Sequence, residues 1–186
     1  MHHHRFTYSE AERRKRQNPE ALLHGMGLQP GMCFVDLGCN DGFFTLPAAR
    51  IVGPNGKVIA LDIDEAALGR LTEKLQSEHI QNVEVVASTA EAFDTYSDCA
   101  DIVFFGMVLH DFQDPVQVLR NAKRMLHKDG FMYDYDWKKQ PSELGPPLAI
   151  RLSPTQVAAL AQKAELHVTA AETVDDNFYA VTMRLG

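Results

Sequence analysis

Two features of this chain have the residue types and spacing to bind a nucleotide. The first is the run Asp36-Leu37-Gly38-Cys39-Asn40-Asp41-Gly42. The second is Asp62, 20 residues beyond Gly42. Gly38 allows a tight turn and close approach of a ligand to the backbone. Asn40 stands where a third glycine is common, and Asn tolerates left-handed backbone angles better than most residues. A carboxylate at the spacing of Asp62 can accept both ribose hydroxyls of an adenosine. A dinucleotide fingerprint, G-x-G-x-x-G, needs a last glycine where helix packs on strand. Counted from Gly38, that position is Phe43, whose ring would crowd a pyrophosphate. No G-x-x-x-x-G-K-[ST] run is present either. The site therefore favours a nucleoside without a pyrophosphate.

His110 is the residue best suited to proton transfer, with an ordinary pKa near 6.5. Asp111 and Asp136 are further candidates for a base. Each can equally be read as a cap, a packing residue or a solvated carboxylate. Cys33, Cys39 and Cys99 form no C-x-x-C pair and no zinc spacing, so no metal site is expected. They read as reduced thiols, with Cys33 in an apolar strand pattern.

These residues need a scaffold, and hydrophobic periodicity predicts one. Short apolar runs at Met32 to Leu37, Lys57 to Leu61, Val83 to Ala87, Asp101 to Phe105 and Phe131 to Trp137 read as buried strands. Helices alternate with them. One follows the glycine loop to about Val52. Another is capped by Asp64, with Leu68, Leu71 and Leu75 on one face. A third starts at Pro115, with Val116, Leu119, Ala122 and Leu126 inward. Ser153-Pro154-Thr155-Gln156 is a capping box opening a helix with Val157, Leu160, Ala161 and Ala164 inward. His167 to Val174 and Phe178 to Leu185 read as an antiparallel hairpin. The expected fold is a single-domain α/β, Rossmann-like doubly wound, mostly parallel seven-stranded sheet closed by that C-terminal hairpin. Residues 1–26 form an N-terminal helical segment ahead of a domain at 27–186. Within that segment Asn18 caps and Pro19 opens a short helix through His24. Arg13-Arg14-Lys15-Arg16 reads as a solvated helix face or as a lid attracting an anionic substrate. The Pro-rich stretch Lys138 to Leu152 is the longest loop, either a second lid or a rigid connection. Tyr133, Tyr135 and Trp137 alternate along the fifth strand, with Trp137 a candidate pocket wall. Ligands in such sheets bind at the carboxyl ends of the strands, so the loops after strands one to four carry the site.

Composition sets bounds. The chain has 186 residues, 45% hydrophobic and 23% charged, with a net charge of −7. That balance belongs to a globular domain and gives no electrostatic footprint for nucleic acid. No apolar run approaches the roughly 18 residues of a membrane span, and MHHHRF lacks an apolar signal core. A cytoplasmic protein is expected. No function is assigned to His2, His3 or His4.

The motifs resemble a known family. VDLGCNDGFF looks like motif I of class I S-adenosylmethionine-dependent methyltransferases, and ALDID like their motif II. ASTAEAF resembles the loop beside the adenine. DIVFFGMVLHDFQDP is similar to the motif IV region of the ubiquinone/menaquinone-biosynthesis-like branch, and DYDWKK…GPP resembles small prokaryotic members. The resemblance spans roughly Gly25 to Arg184 and implies a SAM-dependent methyltransferase acting on a small-molecule acceptor. It implies that Asp36, Gly38, Cys39 and Asn40 surround the methionine part, and that Asp62 and Ile63 hold the ribose and stack beside the adenine. Thr89 and Ala90 would line the adenine edge, and Gly106 would leave space for the methionine carboxylate or the methyl group. Thr89 departs from the family, since an acidic residue commonly accepts the adenine amino group there. Metalloid methylation within this family relies on several placed cysteines, and only Cys39 lies in the loop. Two other readings stay open: an NAD(P)-binding oxidoreductase, and a non-catalytic SAM-binding or interaction protein.

Overall fold

Runs rich in Val, Ile, Leu and Phe pair into one sheet in the computed structural model, which describes residues 10–186. Residues 1–9, His2, His3 and His4 among them, lie outside the described residues. The strands are β1 (Cys33–Leu37), β2 (Lys57–Asp62), β3 (Val83–Ala87), β4 (Ala100–Gly106), β5 (Leu126–Trp137), β6 (Leu166–Thr173) and β7 (Phe178–Leu185). The helices are α1 (Glu10–Arg16), α2 (Pro19–Gly25), α3 (Thr45–Val52), α4 (Glu65–Ser77), α5 (Pro115–Met125) and α6 (Pro154–Lys163). Strand order is β3-β2-β1-β4-β5-β7-β6. The first five strands run parallel, and β7 pairs antiparallel with both β5 and β6. The doubly wound sheet with its C-terminal hairpin is the architecture the alternating pattern predicts.

Side-chain alternation along each strand sorts the core onto two faces. Phe34, Val58, Ile102, Phe104, Tyr133 and Tyr135 pack with α2 and α3 on one face. Val35, Ile59, Val103 and Met132 pack with Val118, Leu119 and Ala122 of α5 and Val157 and Ala161 of α6 on the other. Leu68, Leu71 and Leu75 of α4 close over Ala60, Cys39 and Leu46. Helix starts are fixed by caps read from the sequence. Asn18 and Asp64 accept backbone N–H bonds, and Ser153 with Gln156 forms the full capping box. Asp114, ahead of the expected start at Pro115, adds a cap that the structure reveals.

One boundary moves. Leu126 was expected on the helix that begins at Pro115, but that helix ends at Met125. Leu126 takes an extended conformation (φ −68°, ψ 132°) and pairs with Ala100. Hydrophobicity could not distinguish the two placements, because Leu126 enters the same core either way. The register then jumps from Ala100↔Leu126 to Ile102↔Phe131. His127 Nε2 lies 2.8 Å from Asp101 Oδ1 at this irregularity and ties it to β4.

The chain winds from β1 outward to β3, then returns to place β4 on the other side of β1. The loops after β1 and β4 therefore diverge and open a crevice at their carboxyl ends, where such sheets bind ligands.

Candidate active site

The loop after β1 is built on left-handed backbone. Gly38, Asn40 and Gly42 have φ of 77°, 48° and 90°. Asn40 thus occupies the conformation that its residue type tolerates, and its Oδ1 accepts the Asp41 N–H at 2.8 Å. A Cβ on Gly38 would stand 2.5 Å from Val108 Cγ2, and one on Gly42 would stand 2.5 Å from Leu71 Cδ1. Gly38 therefore lets the loops after β1 and β4 approach each other, while Gly42 lets α4 pack.

Every N–H from Gly38 to Gly42 is already used. Gly38 and Cys39 donate to Leu61 O, and Gly42 donates to Cys39 O. Asn40 donates to Asp62 Oδ2, and Asp41 to Asn40 Oδ1. A phosphate cradle needs N–H groups aimed outward. This loop has none to offer, a stronger objection to a dinucleotide than the size of Phe43. The Phe43 ring is itself buried beneath the Arg13 guanidinium, 3.8 Å from its centroid.

Above the loop lies a cavity of about 620 Å³. Gly38, Cys39, Asn40, Asp62 and Ile63 form one part of its wall, with Thr89, Ala90 and Gly106 elsewhere on it. Asp62 accepts Asn40 N–H at 2.8 Å through Oδ2 and Asp64 N–H at 2.9 Å through Oδ1. A carboxylate has about four acceptor positions, so a diol can still be bound. Ile63 presents an apolar side chain that is 42% exposed at the cavity wall. A diol acceptor beside an exposed apolar residue, with no phosphate donors, fits the adenosine of S-adenosylmethionine.

Asp36 is placed differently from expectation. It is absent from the cavity wall, 2% exposed, and accepts the Thr45 hydroxyl at 2.7 Å from behind the loop. Strand alternation explains this. Asp36 shares the face of Phe34, which points it under α3 rather than into the crevice. Burial, reinforced by the charge of Asp62, pushes its carboxyl up to about 7 against the opposing Thr45 bond and Arg13 charge. Gly106 does reach the wall, but a Cβ there would meet the Phe104 and Phe44 rings at 2.6 and 2.9 Å. Ring packing is thus the local demand for glycine at that position.

His110 lies in a short 3-10 turn after β4, with its side chain 3% exposed and on the cavity wall. Its Nδ1 is 2.8 Å from Asp136 Oδ2, and Nε2 is 3.6 Å from Asp111 Oδ1. Asp136 is 1% exposed, and its Oδ1 accepts the Trp137 N–H at 2.7 Å. The three residues considered separately as bases are therefore one cluster. Asp136 accepting from Nδ1–H leaves Nε2 as the basic nitrogen. Burial works to lower the pKa of His110. The Asp136 hydrogen bond and charge, with Asp111, outweigh it and hold the imidazole above 6.5.

Some wall residues were not singled out as cofactor or catalytic candidates. Met107 lies beside Gly106 with φ 61°, strained for a side chain of its kind. Arg13 reaches the wall from α1, and Glu143 to Pro146 reach it from the Pro-rich loop. Trp137 lines it from the end of β5 while remaining buried. The basic run, the prolines and the strand-five aromatics were legible signals. Their direction was not. Cys33 and Cys99 lie before or at the amino ends of β1 and β4, away from the cavity, and are half-buried.

Comparisons with known proteins bear on the family. Residues 28–174 match a family model described as a methyltransferase domain. The demethylmenaquinone methyltransferase of Lactococcus lactis is 34% identical over 105 residues, 56% of this chain and 42% of that protein. The ubiquinone/menaquinone biosynthesis C-methyltransferase of a Marinomonas species is 28% identical over 153 residues, 80% of this chain and 61% of that protein. The chain thus spans about half the length of these curated relatives. A SAM-dependent methyltransferase from Aquifex aeolicus has a solved structure that superposes with a TM-score of 0.84 at 25% identity. The match covers 95% of this chain and 98% of that one.

Proposed function

The chain belongs to the methyltransferase-domain family, and from that premise we propose that it transfers a methyl group from S-adenosylmethionine to a small phenol- or quinol-like acceptor. The observation that carries the proposal is the meeting of a phosphate-free nucleoside site and a buried His–Asp pair on one cavity. S-adenosylmethionine supplies an already activated methyl group, so the protein's task is alignment and proton removal. Asp62 would hold the ribose hydroxyls, with Ile63, Thr89 and Ala90 around the adenine. Gly38, Cys39 and Asn40 would flank the methionine part.

His110 is the general base. Its Nε2 takes the proton of the acceptor hydroxyl, and Asp136 stabilises the resulting imidazolium through Nδ1–H. Loss of that proton leaves a phenolate, whose charge is shared between oxygen and ring carbon. Attack through oxygen completes the transfer, whereas attack through carbon is completed by loss of that carbon's C–H proton to solvent, which restores the aromatic ring. An apolar wall of Phe44, Met107, Phe112, Trp137 and Leu144 suits a ring, and the names of the relatives point to the same acceptor chemistry. Arg13, over Phe43 and on the cavity wall, supports reading the described part of the N-terminal segment, residues 10–26, as a lid on a domain at 27–186.

Calorimetry with S-adenosylmethionine, its demethylated product and NAD tests the cofactor. Binding of the first two and not the third is expected. Tight NAD binding with no response to the others would refute the proposal. A panel of phenols and quinols assayed for demethylated cofactor then tests the acceptor.

A further inference from the structure

The Pro-rich segment after β5 contains Pro141, Pro146 and Pro147, which have no N–H to donate. Its carbonyls need another donor, and one side chain supplies it. The Arg151 guanidinium is 3% exposed and donates to four of them: Pro146 O at 2.8 Å, Lys138 O at 3.2 Å, Gln140 O at 3.0 Å and Leu144 O at 2.5 Å. No carboxylate lies within ion-pair distance of it among the described residues. Four of its five N–H groups are therefore spent on the loop's own backbone. The guanidinium carbon also lies 5.4 Å from the centre of the Trp137 ring. Gly145, at φ 84°, seats its backbone on the same indole, where a Cβ would stand 2.6 Å from the ring. Loop, arginine and indole form one unit, and Glu143 to Pro146 face the cavity that His110 lines.

From this arrangement we infer that Arg151 is a positioning residue for acceptor recognition. It fixes residues 143–146 against Trp137 as the wall on which the acceptor ring seats. The inference rests on the methyl-transfer reading above but concerns a different part of the cavity. None of the residues assigned to the cofactor belongs to this unit. A fork of four N–H···O bonds cannot be reproduced by lysine, whose ammonium is a point charge with three donors. Arg151→Lys therefore separates a geometric role from an electrostatic one.

Trp137 is the chain's single tryptophan, so its fluorescence reports on this unit alone. The probe is 4-nitrophenol, a planar phenol that quenches tryptophan and whose ionisation is visible. It is titrated in the presence of the demethylated cofactor, whose own affinity is measured by calorimetry. The wild type is expected to show saturable quenching. Arg151→Ala, Arg151→Lys and Leu144→Ala should each weaken the probe by about tenfold or more, equivalent to about 1.4 kcal/mol, with cofactor affinity unchanged. Undiminished probe affinity in Arg151→Lys and Leu144→Ala would overturn the inference. So would equal losses of probe and cofactor affinity, which mark a general structural defect. Should Arg151→Ala fail to fold, the other two variants decide. A wild type that binds the demethylated cofactor yet shows no quenching also overturns it. A wild type that binds no cofactor refutes the methyltransferase proposal instead.

Discussion

Asp36 offers a quantitative test of how the crevice is built. Its carboxyl, behind the glycine loop, is pushed up to about 7, chiefly by burial. An unfolded chain would ionise it near 3.9. Between roughly pH 4 and pH 7 the folded protein holds a proton that the unfolded chain has released. Folding stability must then fall as pH rises through that window and level off above it. Roughly 3 pH units at about 1.4 kcal/mol each give a loss of about 4 kcal/mol. That is a large fraction of the 5–15 kcal/mol (roughly) that holds a typical domain together. Asp36→Asn removes the titration and keeps an acceptor for the Thr45 hydroxyl. Urea unfolding followed by circular dichroism from pH 4.5 to 8, with matched m-values, should give two curves. They lie within about 1 kcal/mol of each other at the acid end, on the scale of one hydrogen bond. By pH 8 they separate by up to about 4 kcal/mol, with the Asn variant the more stable. Other buried acids such as Asp134, raised by burial and by Asp136, are present in both proteins and cancel in the difference. Curves that stay parallel across the range would refute the reasoning, because Asp36 would then ionise alike in the folded and unfolded states.

His110→Ala should lower the rate by about 100-fold or more, the usual range for a general base, with cofactor affinity unchanged by calorimetry. Activity should rise with pH through the raised His110 value. In Asp136→Asn the rate falls and the limb moves to lower pH, because the bond and charge that raise the imidazole are lost; an unmoved limb in the pH–rate profile would contradict the pairing. Asp62→Asn should weaken S-adenosylmethionine at least about tenfold, measured by titration, with each lost charged hydrogen bond costing about 1.5–3 kcal/mol. Alanine there is a less clean probe, because Asp62 also anchors Asn40 and Asp64. Gly42→Ala combines positive φ with a clash on Leu71 and should cost about 3 kcal/mol in thermal unfolding. Gly69→Ala in α4 meets open space and should stabilise by about 0.5–1 kcal/mol.

Much of this protein was written in local patterns. Strand-length apolar runs separated by capped, amphipathic helices determined the elements, because burial and capping act over a few residues. The spacing of Gly38, Asn40, Gly42 and Asp62 pointed to the kind of ligand proposed, because a turn must follow β1 and an acid must end β2. Tertiary structure decided what those patterns share between them. Leu126 could serve helix or strand, and only its pairing with Ala100 settled which. Asp36 reads like a site residue beside Gly38, yet the pleat turns it under α3. His110 and Asp136 are 26 residues apart and become a pair because β4 and β5 are neighbours. Arg151 shows no sign in the sequence that it will bind four carbonyls. Such contacts depend on which strands adjoin and which face a side chain takes, and both are fixed only when the whole sheet assembles.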